Sequence, residues 1–155
     1  MGGALDVPGN VIETIDEHIN TSAEWNFYID PEAVNITLNS RIPMVIVPLD
    51  ITNNIPLDKT FLAMLKRNHL TKTGVFATHL VEKLLSNIQY ESETWYFWDP
   101  LAAIILANGS KTTFKQERVK ILLSPVSNIA KLKRDPQGKV VLVAKSIDKE
   151  FVTSA

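Results

Sequence analysis

The order of apolar and polar residues along the chain indicates both helices and strands. The aspartate, proline and glutamate at Asp30–Glu32 combine a capping carboxylate, a first-turn proline and an acidic residue, which predicts a helix to about Asn39. Pro43 then leads into Met44–Val47, a continuous apolar run that is typical of a parallel strand covered on both faces. A helix followed by such a strand indicates an α/β domain.

Further helices are predicted between residues 58 and 107. Asp58 can cap a helix that ends near Lys66 or Arg67, and apolar residues recur at helical spacing from about Lys72 to Ile88. Asp99 and Pro100 are expected to start a short helix over Leu101–Ala107, which Asn108 and Gly109 end.

The C-terminal part of the chain has strand patterns. We predict a strand over Arg118–Leu123 and a pair of strands, Ala130–Arg134 and Lys139–Ala144, on either side of the turn Asp135–Gly138. A final helix begins near Ser146. The predicted fold is therefore an α/β sheet with an antiparallel hairpin near the end.

Composition excludes several classes of function. The chain has 155 residues, 45% apolar and 21% charged, with a net charge of -1 and a pI near 6.3, so neither nucleic acid nor a membrane is an expected partner. Leu101–Ala107, the longest apolar run, is too short to cross a bilayer. The absence of cysteine excludes disulfides and thiolate metal sites, and it fits the cytoplasmic location that we expect.

Glu24 and Asn26 are the first candidate binding residues. Side chains two positions apart point the same way in an extended chain, and a carboxylate with an amide suits vicinal hydroxyl groups. The alternative is an ordinary loop that leads into a capped helix, and Asp6–Trp25 as a whole is predicted to be loop. Asn10, which follows Pro8 and Gly9, also has a simple explanation as a turn residue.

Trp98 and Asp99 form the second candidate site. Asp99 has the sequence position of a helix N-cap, which is one interpretation. The other is that its carboxylate binds a hard cation, beside an indole ring that can stack on a planar base. A zinc site at His79 and Glu82 is not favoured, because no second histidine completes the pattern. We expect His79 to belong to the packed face of its helix.

Taken together, four segments resemble the inosine-uridine preferring nucleoside hydrolase family in order and spacing. They are Met1–Gly3 with Pro8–Val11, Ala23–Ala33, Pro48–Asn53 and Trp98–Ala102. The resemblance implies a Rossmann-like α/β domain that hydrolyses the N-glycosidic bond of ribonucleosides with a bound calcium ion. It also implies that Asn10, Glu24 and Asn26 hydrogen-bond the ribose hydroxyls, that Trp98 lies along the base and that Asp99 binds calcium. The Trp-Asp pair is similar to the purine-preferring branch.

One part of the family pattern is missing from these residues. Family members begin with an aspartate-rich run that supplies most calcium ligands and the general base, so residues 1–155 are interpreted as a partial domain without that N-terminal half. Calcium takes about 6–8 oxygen ligands, so binding through Asp99 alone is expected to be weak or absent. We expect no catalytic residue in this chain and no activity without a complementing half.

The sequence leaves two hypotheses open. The chain is either the specificity half of a nucleoside hydrolase, working with a complementing half or as a homo-oligomer, or an inactive remnant that serves as a nucleoside-binding or interaction module. Both hypotheses make a nucleoside the expected small-molecule ligand.

Overall fold

The computed structural model describes residues 1–11, 14–15, 18–68, 71–86 and 94–154. The chain divides into two units. The first unit consists of Met1–Ile51 and Thr112–Ser146, and the second consists of Thr52–Lys111 and Ile147–Ala155. The two units are described separately.

The first unit contains the sheets. A short antiparallel pair, β1 (Thr14–Ile15) and β2 (His18–Ile19), precedes two helices, α1 (Trp25–Ile29) and α2 (Pro31–Leu38). A four-stranded sheet then has the order β3-β6-β4-β5, with these bounds: β3 Val45–Ile46, β4 Thr112–Ile121, β5 Leu132–Arg134 and β6 Lys139–Ile147.

The pairing confirms a mixed α/β fold but changes the predicted hairpin. The strand β3 is parallel to β6, with Val45 opposite Leu142, and β4 is antiparallel to β5, with Val119 opposite Arg134. The turn at Asp135–Gly138 forms, yet β4 lies between β5 and β6. The reason is that β4 is ten residues long, begins six residues before the predicted start, and pairs on both of its edges.

The core of the first unit lies on one face of this sheet. Along β4 the side chains of Glu117, Val119 and Ile121 are buried while those between them are exposed, as expected of a half-covered strand. Leu38 of α2 joins the same cluster. The predicted cap of α2 is confirmed, because the Asp30 carboxylate accepts a hydrogen bond from Ala33 N at 2.9 Å.

The second unit is helical. The short helix α3 (Leu49–Thr52) crosses the division between the units, and α4 (Lys59–Asn68), α5 (Lys72–Ser86), α6 (Trp98–Ala107) and α7 (Lys149–Ser154) follow. The cap of α4 is confirmed, since Phe61 N donates to Asp58 Oδ1 at 2.8 Å. The predicted end of α5 at Ile88 lies outside the described residues.

Three local predictions are wrong. The helix α6 begins at Trp98, so Asp99 is not its cap; Phe97 holds the cap position and makes no side-chain hydrogen bond there. His79 is exposed rather than packed. The segment Asp6–Trp25, predicted as loop, contains β1 and β2 and leads into α1. None of the helices in the described ranges has the length and apolar run needed to cross a membrane.

Candidate functional site

The glycine-containing loop at Met1–Asp6 is held by the end of β3 and the start of α3. Gly2 N donates to Val47 O at 3.1 Å, and Leu49 N donates to Gly3 O at 2.9 Å. Gly3 has a φ of +80°, a backbone conformation that glycine adopts without a steric penalty. The Asp50 carboxylate accepts hydrogen bonds from Leu5 N and Asp6 N, which hold the end of this loop.

Glu24 joins this loop to α1. Its side chain is only 2% exposed. One carboxylate oxygen accepts from Gly3 N at 2.9 Å and from Phe27 N at 3.2 Å, while the other accepts from Asn26 N at 2.9 Å. Three backbone donors therefore surround a buried carboxylate, which caps α1 and holds the glycine-containing loop against it.

The Glu24 and Asn26 side chains do not point the same way along an extended chain, so that prediction is wrong. Glu24 is extended, but Asn26 lies within α1, so the two side chains are not consecutive positions on one side of a strand. The Asn26 side chain is exposed, and its Nδ2 is 3.5 Å from Met1 O and 3.4 Å from the Met1 sulfur, both weak contacts. Its amide therefore lies beside the glycine-containing loop with hydrogen-bonding capacity to spare.

Asn10 is fixed by the segment that precedes α1. Its backbone N donates to Ala23 O at 3.0 Å, and its side-chain Oδ1 accepts from Trp25 N at 2.8 Å. Gly9 permits this approach, because a Cβ at that position would lie 1.9 Å from Ala23 O. Asn10, Glu24 and Asn26 are thus tied to one short stretch of chain in the first unit, with the Asn10 and Asn26 side chains exposed.

An ion-pair cluster holds the far end of the same loop. Both carboxylate oxygens of Asp6 accept from the Arg134 guanidinium, at 2.6 and 2.8 Å, and Lys145 lies 3.3 Å away. Arg134 holds the pKa of the Asp6 carboxyl well below its usual range. This contact was not predictable from the sequence, since 128 positions separate the two residues and no local pattern indicates their pairing.

In the second unit, backbone pairing holds the aromatic segment before α6. Leu57 N donates to Trp95 O at 2.7 Å, and Phe97 N donates to Ile55 O at 2.9 Å. The ring of Trp98 lies 5.8 Å from those of Trp95 and Tyr96, with interplanar angles of 58° and 57°. The indole N–H of Trp98 is buried and has no partner among the described residues. The sequence pattern alone did not predict that Trp95 and Tyr96 pack beside Trp98.

Asp99 follows Trp98 in the first turn of α6. Its side chain is exposed, and within the described part of the chain it makes no recorded hydrogen bond or ion pair. A carboxylate there interacts favourably with the positive end of the helix dipole. Across the described ranges, no group of three or more His, Asp and Glu residues lies close enough to hold a metal ion. The described residues therefore do not by themselves provide the oxygen ligands of a calcium site, which takes about 6–8.

Comparison with known proteins decides the family. The family model for inosine-uridine preferring nucleoside hydrolases matches residues 1–154. The chain belongs to this family. Proteins of this family hydrolyse N-glycosyl compounds and are generally metal-dependent.

Individual members of the nucleoside hydrolase family are distant from this chain in sequence. Nucleoside hydrolase 3 of Arabidopsis thaliana is 28% identical over 87 residues, which are 54% of this chain and 10% of that protein. The inosine-uridine preferring nucleoside hydrolase of Bacillus anthracis superposes with a TM-score of 0.76 at 20% identity, covering 98% of this chain and 47% of that one. The purine-preferring ribonucleoside hydrolase of Gardnerella vaginalis gives 0.72 at 24% identity, covering 99% and 50%. The chain thus spans about half the length of these solved nucleoside hydrolases, whose similarity establishes the fold.

Proposed function

We propose that this chain is the nucleoside-binding part of an N-ribohydrolase that prefers purine nucleosides. The observation that carries the proposal is the state of Asp99, which is exposed, caps nothing and follows an indole ring. A carboxylate with no structural partner is available to bind a cation, and Trp98 offers an aromatic face for a base. The purine-preferring enzyme of Gardnerella vaginalis, with the same fold, supports the choice of base.

The residues of the first unit are proposed to bind ribose. Asn10 and Asn26 present exposed amides that donate to and accept from vicinal hydroxyls. Glu24 has about four lone-pair positions, three of which accept backbone hydrogen bonds, so one remains for a ribose hydroxyl. Its larger contribution is to hold Asn26 and the glycine-containing loop in place.

Hydrolysis is proposed to need groups that these residues do not provide. In the second unit Asp99 would supply one calcium ligand, and the other ligands and the general base would come from a complementing half. A general base alone contributes about 10²–10⁴-fold to a rate, so the 155-residue chain by itself is expected to be inactive. A nucleoside-binding module without catalysis is the second candidate, favoured because Asp99 belongs to no group of three or more His, Asp and Glu side chains among the described residues.

Calorimetric titration of the 155-residue chain with inosine, and with uridine as a pyrimidine control, tests the binding. We expect saturable binding with inosine preferred by about five- to tenfold, the size of an aromatic stacking contribution. Trp98→Ala removes the preference, and Trp98→Phe restores most of it because the ring is kept. Equal affinity of the unchanged chain for inosine and uridine would contradict the purine preference.

Two further measurements separate the enzyme from the binding module. Ribose release from inosine is measured with calcium present, with and without an aspartate-containing N-terminal half. Release only with that half supports the enzyme, and no release in either case supports the module. Release by the chain alone, or micromolar calcium binding by the chain alone, contradicts the proposed division of ligands.

A further inference from the structure

Two aromatic rings of the second unit lie against the indole ring of Trp98. The ring centroids of Trp95 and Tyr96 are each 5.8 Å from that of Trp98, and the ring planes are tilted by 58° and 57°. Tilted aromatic rings at about 4.5–7 Å attract each other, because the positive edge of one ring faces the negative face of the other. Each of the two contacts therefore favours a definite angle of the Trp98 ring plane.

The indole ring of Trp98 is oriented by packing and not by a hydrogen bond. Its N–H is buried and has no partner among the residues that the structure describes. The side chain of a tryptophan rotates about two bonds, so its ring plane must be fixed either by a polar partner or by its neighbours. In the described part of the second unit, the rings of Trp95 and Tyr96 are the aromatic neighbours that fix it.

The backbone that carries Trp95 is itself held in place. Trp95 O accepts a hydrogen bond from Leu57 N at 2.7 Å, and Phe97 N donates to Ile55 O at 2.9 Å. The ring of Phe97 packs against that of Phe61 in α4, with 4.9 Å between the centroids. A ring on a backbone that is fixed in this way can act as a rigid support for its neighbour.

The tilt between Trp95 and Trp98 decides how Trp95 can act on a base. A flat base that stacks on Trp98 lies parallel to that indole, so it would be tilted by about the same 58° from the ring of Trp95. The two indoles therefore cannot hold one base between parallel faces. Trp95 is also 37% exposed, whereas Tyr96 is half-buried, so the ring of Trp95 can be replaced with less loss to the fold.

We propose that Trp95 is a positioning residue that fixes the ring plane of Trp98 and thereby sets the preference for a purine over a pyrimidine base. The inference rests on the proposed function, since it concerns the base that stacks on Trp98. A ring that is already fixed loses little conformational freedom when a base binds, so more of the stacking attraction appears as affinity. A purine has the larger aromatic face and gains more from a fixed indole than a pyrimidine does.

The ratio of inosine affinity to uridine affinity tests the role of Trp95 in calorimetric titrations of the 155-residue chain. Trp95→Leu keeps an apolar side chain without a ring and should lower the ratio by about threefold, as expected when binding must immobilise one more side chain. Trp95→Phe keeps a ring and should retain most of the ratio. Partial unfolding lowers both affinities by the same factor and leaves the ratio unchanged. An unchanged ratio in Trp95→Leu overturns the proposal, as does an equal fall in Trp95→Phe.

A double-mutant cycle shows whether Trp95 acts through Trp98. In a Trp98→Ala background, Trp95→Leu should change neither the inosine affinity nor the ratio, because no indole remains to be oriented. A further loss of about threefold would mean that Trp95 contacts the base itself, and it would overturn the positioning role. Phe76→Ala is the control, since it removes a ring of α5 that is 63% exposed and should leave the ratio unchanged. A fall as large as that in Trp95→Leu would contradict a specific role of Trp95.

Near-UV circular dichroism without nucleoside separates this inference from the proposed function. A fixed aromatic ring gives a near-UV signal, which is lost when its packing fluctuates. The signal of Trp98, measured as the change on Trp98→Ala, should fall by about half or more in the Trp95→Leu background. Such a fall with equal inosine and uridine affinities in the unchanged chain retains Trp95 as the support of Trp98 and rejects the purine preference. A purine preference that persists in Trp95→Leu, with the Trp98 signal unchanged, rejects the support and leaves the proposed function intact.

Discussion

Two carboxylates lie at the starts of helices in different units of the molecule. Glu24 directly precedes α1, is buried, and accepts three backbone hydrogen bonds, one of them from Gly3 in a distant part of the chain. Asp99 lies one residue inside α6, is exposed, and has no recorded partner among the described residues. The Glu24 carboxylate is therefore held by structural hydrogen bonds, whereas that of Asp99 makes none that is recorded in the described ranges.

The difference follows from the residue at which each helix begins. An N-cap side chain accepts hydrogen bonds from the free N–H groups of the first turn. The side chain of a residue inside that turn points outward from the helix axis instead. Because α6 begins at Trp98, Asp99 lies inside its first turn and not at the capping position. Substitutions at Glu24 and at Asp99 are therefore expected to change stability by different amounts.

Glu24→Ala should have the largest effect on stability. It removes the cap of α1 and leaves the Gly3 amide without its partner, so we expect a loss of about 3 kcal/mol in the free energy of unfolding. Urea denaturation measures it, with Glu24→Gln as the control that keeps the size of the side chain and should lose less. A loss in Glu24→Ala below about 1 kcal/mol would mean that the carboxylate is not a structural anchor.

Gly9→Ala should follow in size. A Cβ would lie 1.9 Å from Ala23 O, so the backbone around Asn10 must shift, and we expect a loss of about 2 kcal/mol. Gly74→Ala, within α5, is a matched control of opposite sign, because replacing a helical glycine by alanine stabilises by about 0.5–1 kcal/mol. Equal effects of the two substitutions in urea denaturation would refute the close-approach argument.

Acid should weaken the anchor at the far end of the glycine-containing loop by a smaller amount. Arg134 lowers the pKa of Asp6 below its ordinary value of 3.8, so the ion pair stabilises the protein above that pH and its contribution is lost as the pH falls further. The pair is exposed but bidentate, and we expect about 1 kcal/mol. The difference in unfolding free energy between the unchanged chain and Asp6→Asn should therefore begin to narrow below about pH 3.8 and be smaller near pH 3 than at neutral pH.

Asp99→Asn should have the smallest effect on stability. We expect a change within about 0.5 kcal/mol, because the side chain is exposed and makes no recorded contact in the described ranges. The same substitution should abolish most of the calcium-dependent ribose release of the complemented protein. A large loss of stability would instead show that Asp99 supports the fold.

Helix caps and apolar runs made much of the fold predictable. Asp30 and Asp58 cap α2 and α4 as their sequence positions indicate, and the apolar run at Met44–Val47 contains β3. Both signals are local, so they do not depend on distant parts of the chain. The position of β4 between β5 and β6 was not predictable, because the turn at Asp135–Gly138 is a local signal that does not specify which strands pair.

The candidate site residues could be named from the sequence, but their surroundings in the fold could not. The resemblance to the family implies Asn10, Glu24, Asn26, Trp98 and Asp99 as candidate site residues, and this assignment stays a prediction. The resemblance did not indicate that Glu24 is buried against Gly3, nor that Asn26 lies in a helix. These properties depend on the contact between the glycine-containing loop and α1, across 21 positions of sequence.

The sequence by itself determined where α2 and α4 begin and which motifs are present, because caps, prolines and apolar periods act over a few residues. Tertiary structure alone decided how each carboxylate is used. Asp6 meets Arg134, Asp50 holds the loop at Leu5, and Glu24 reaches Gly3 only after distant segments come together. Burial and hydrogen-bond partners far apart in sequence depend on how the whole unit packs, so patterns over a few residues do not predict them.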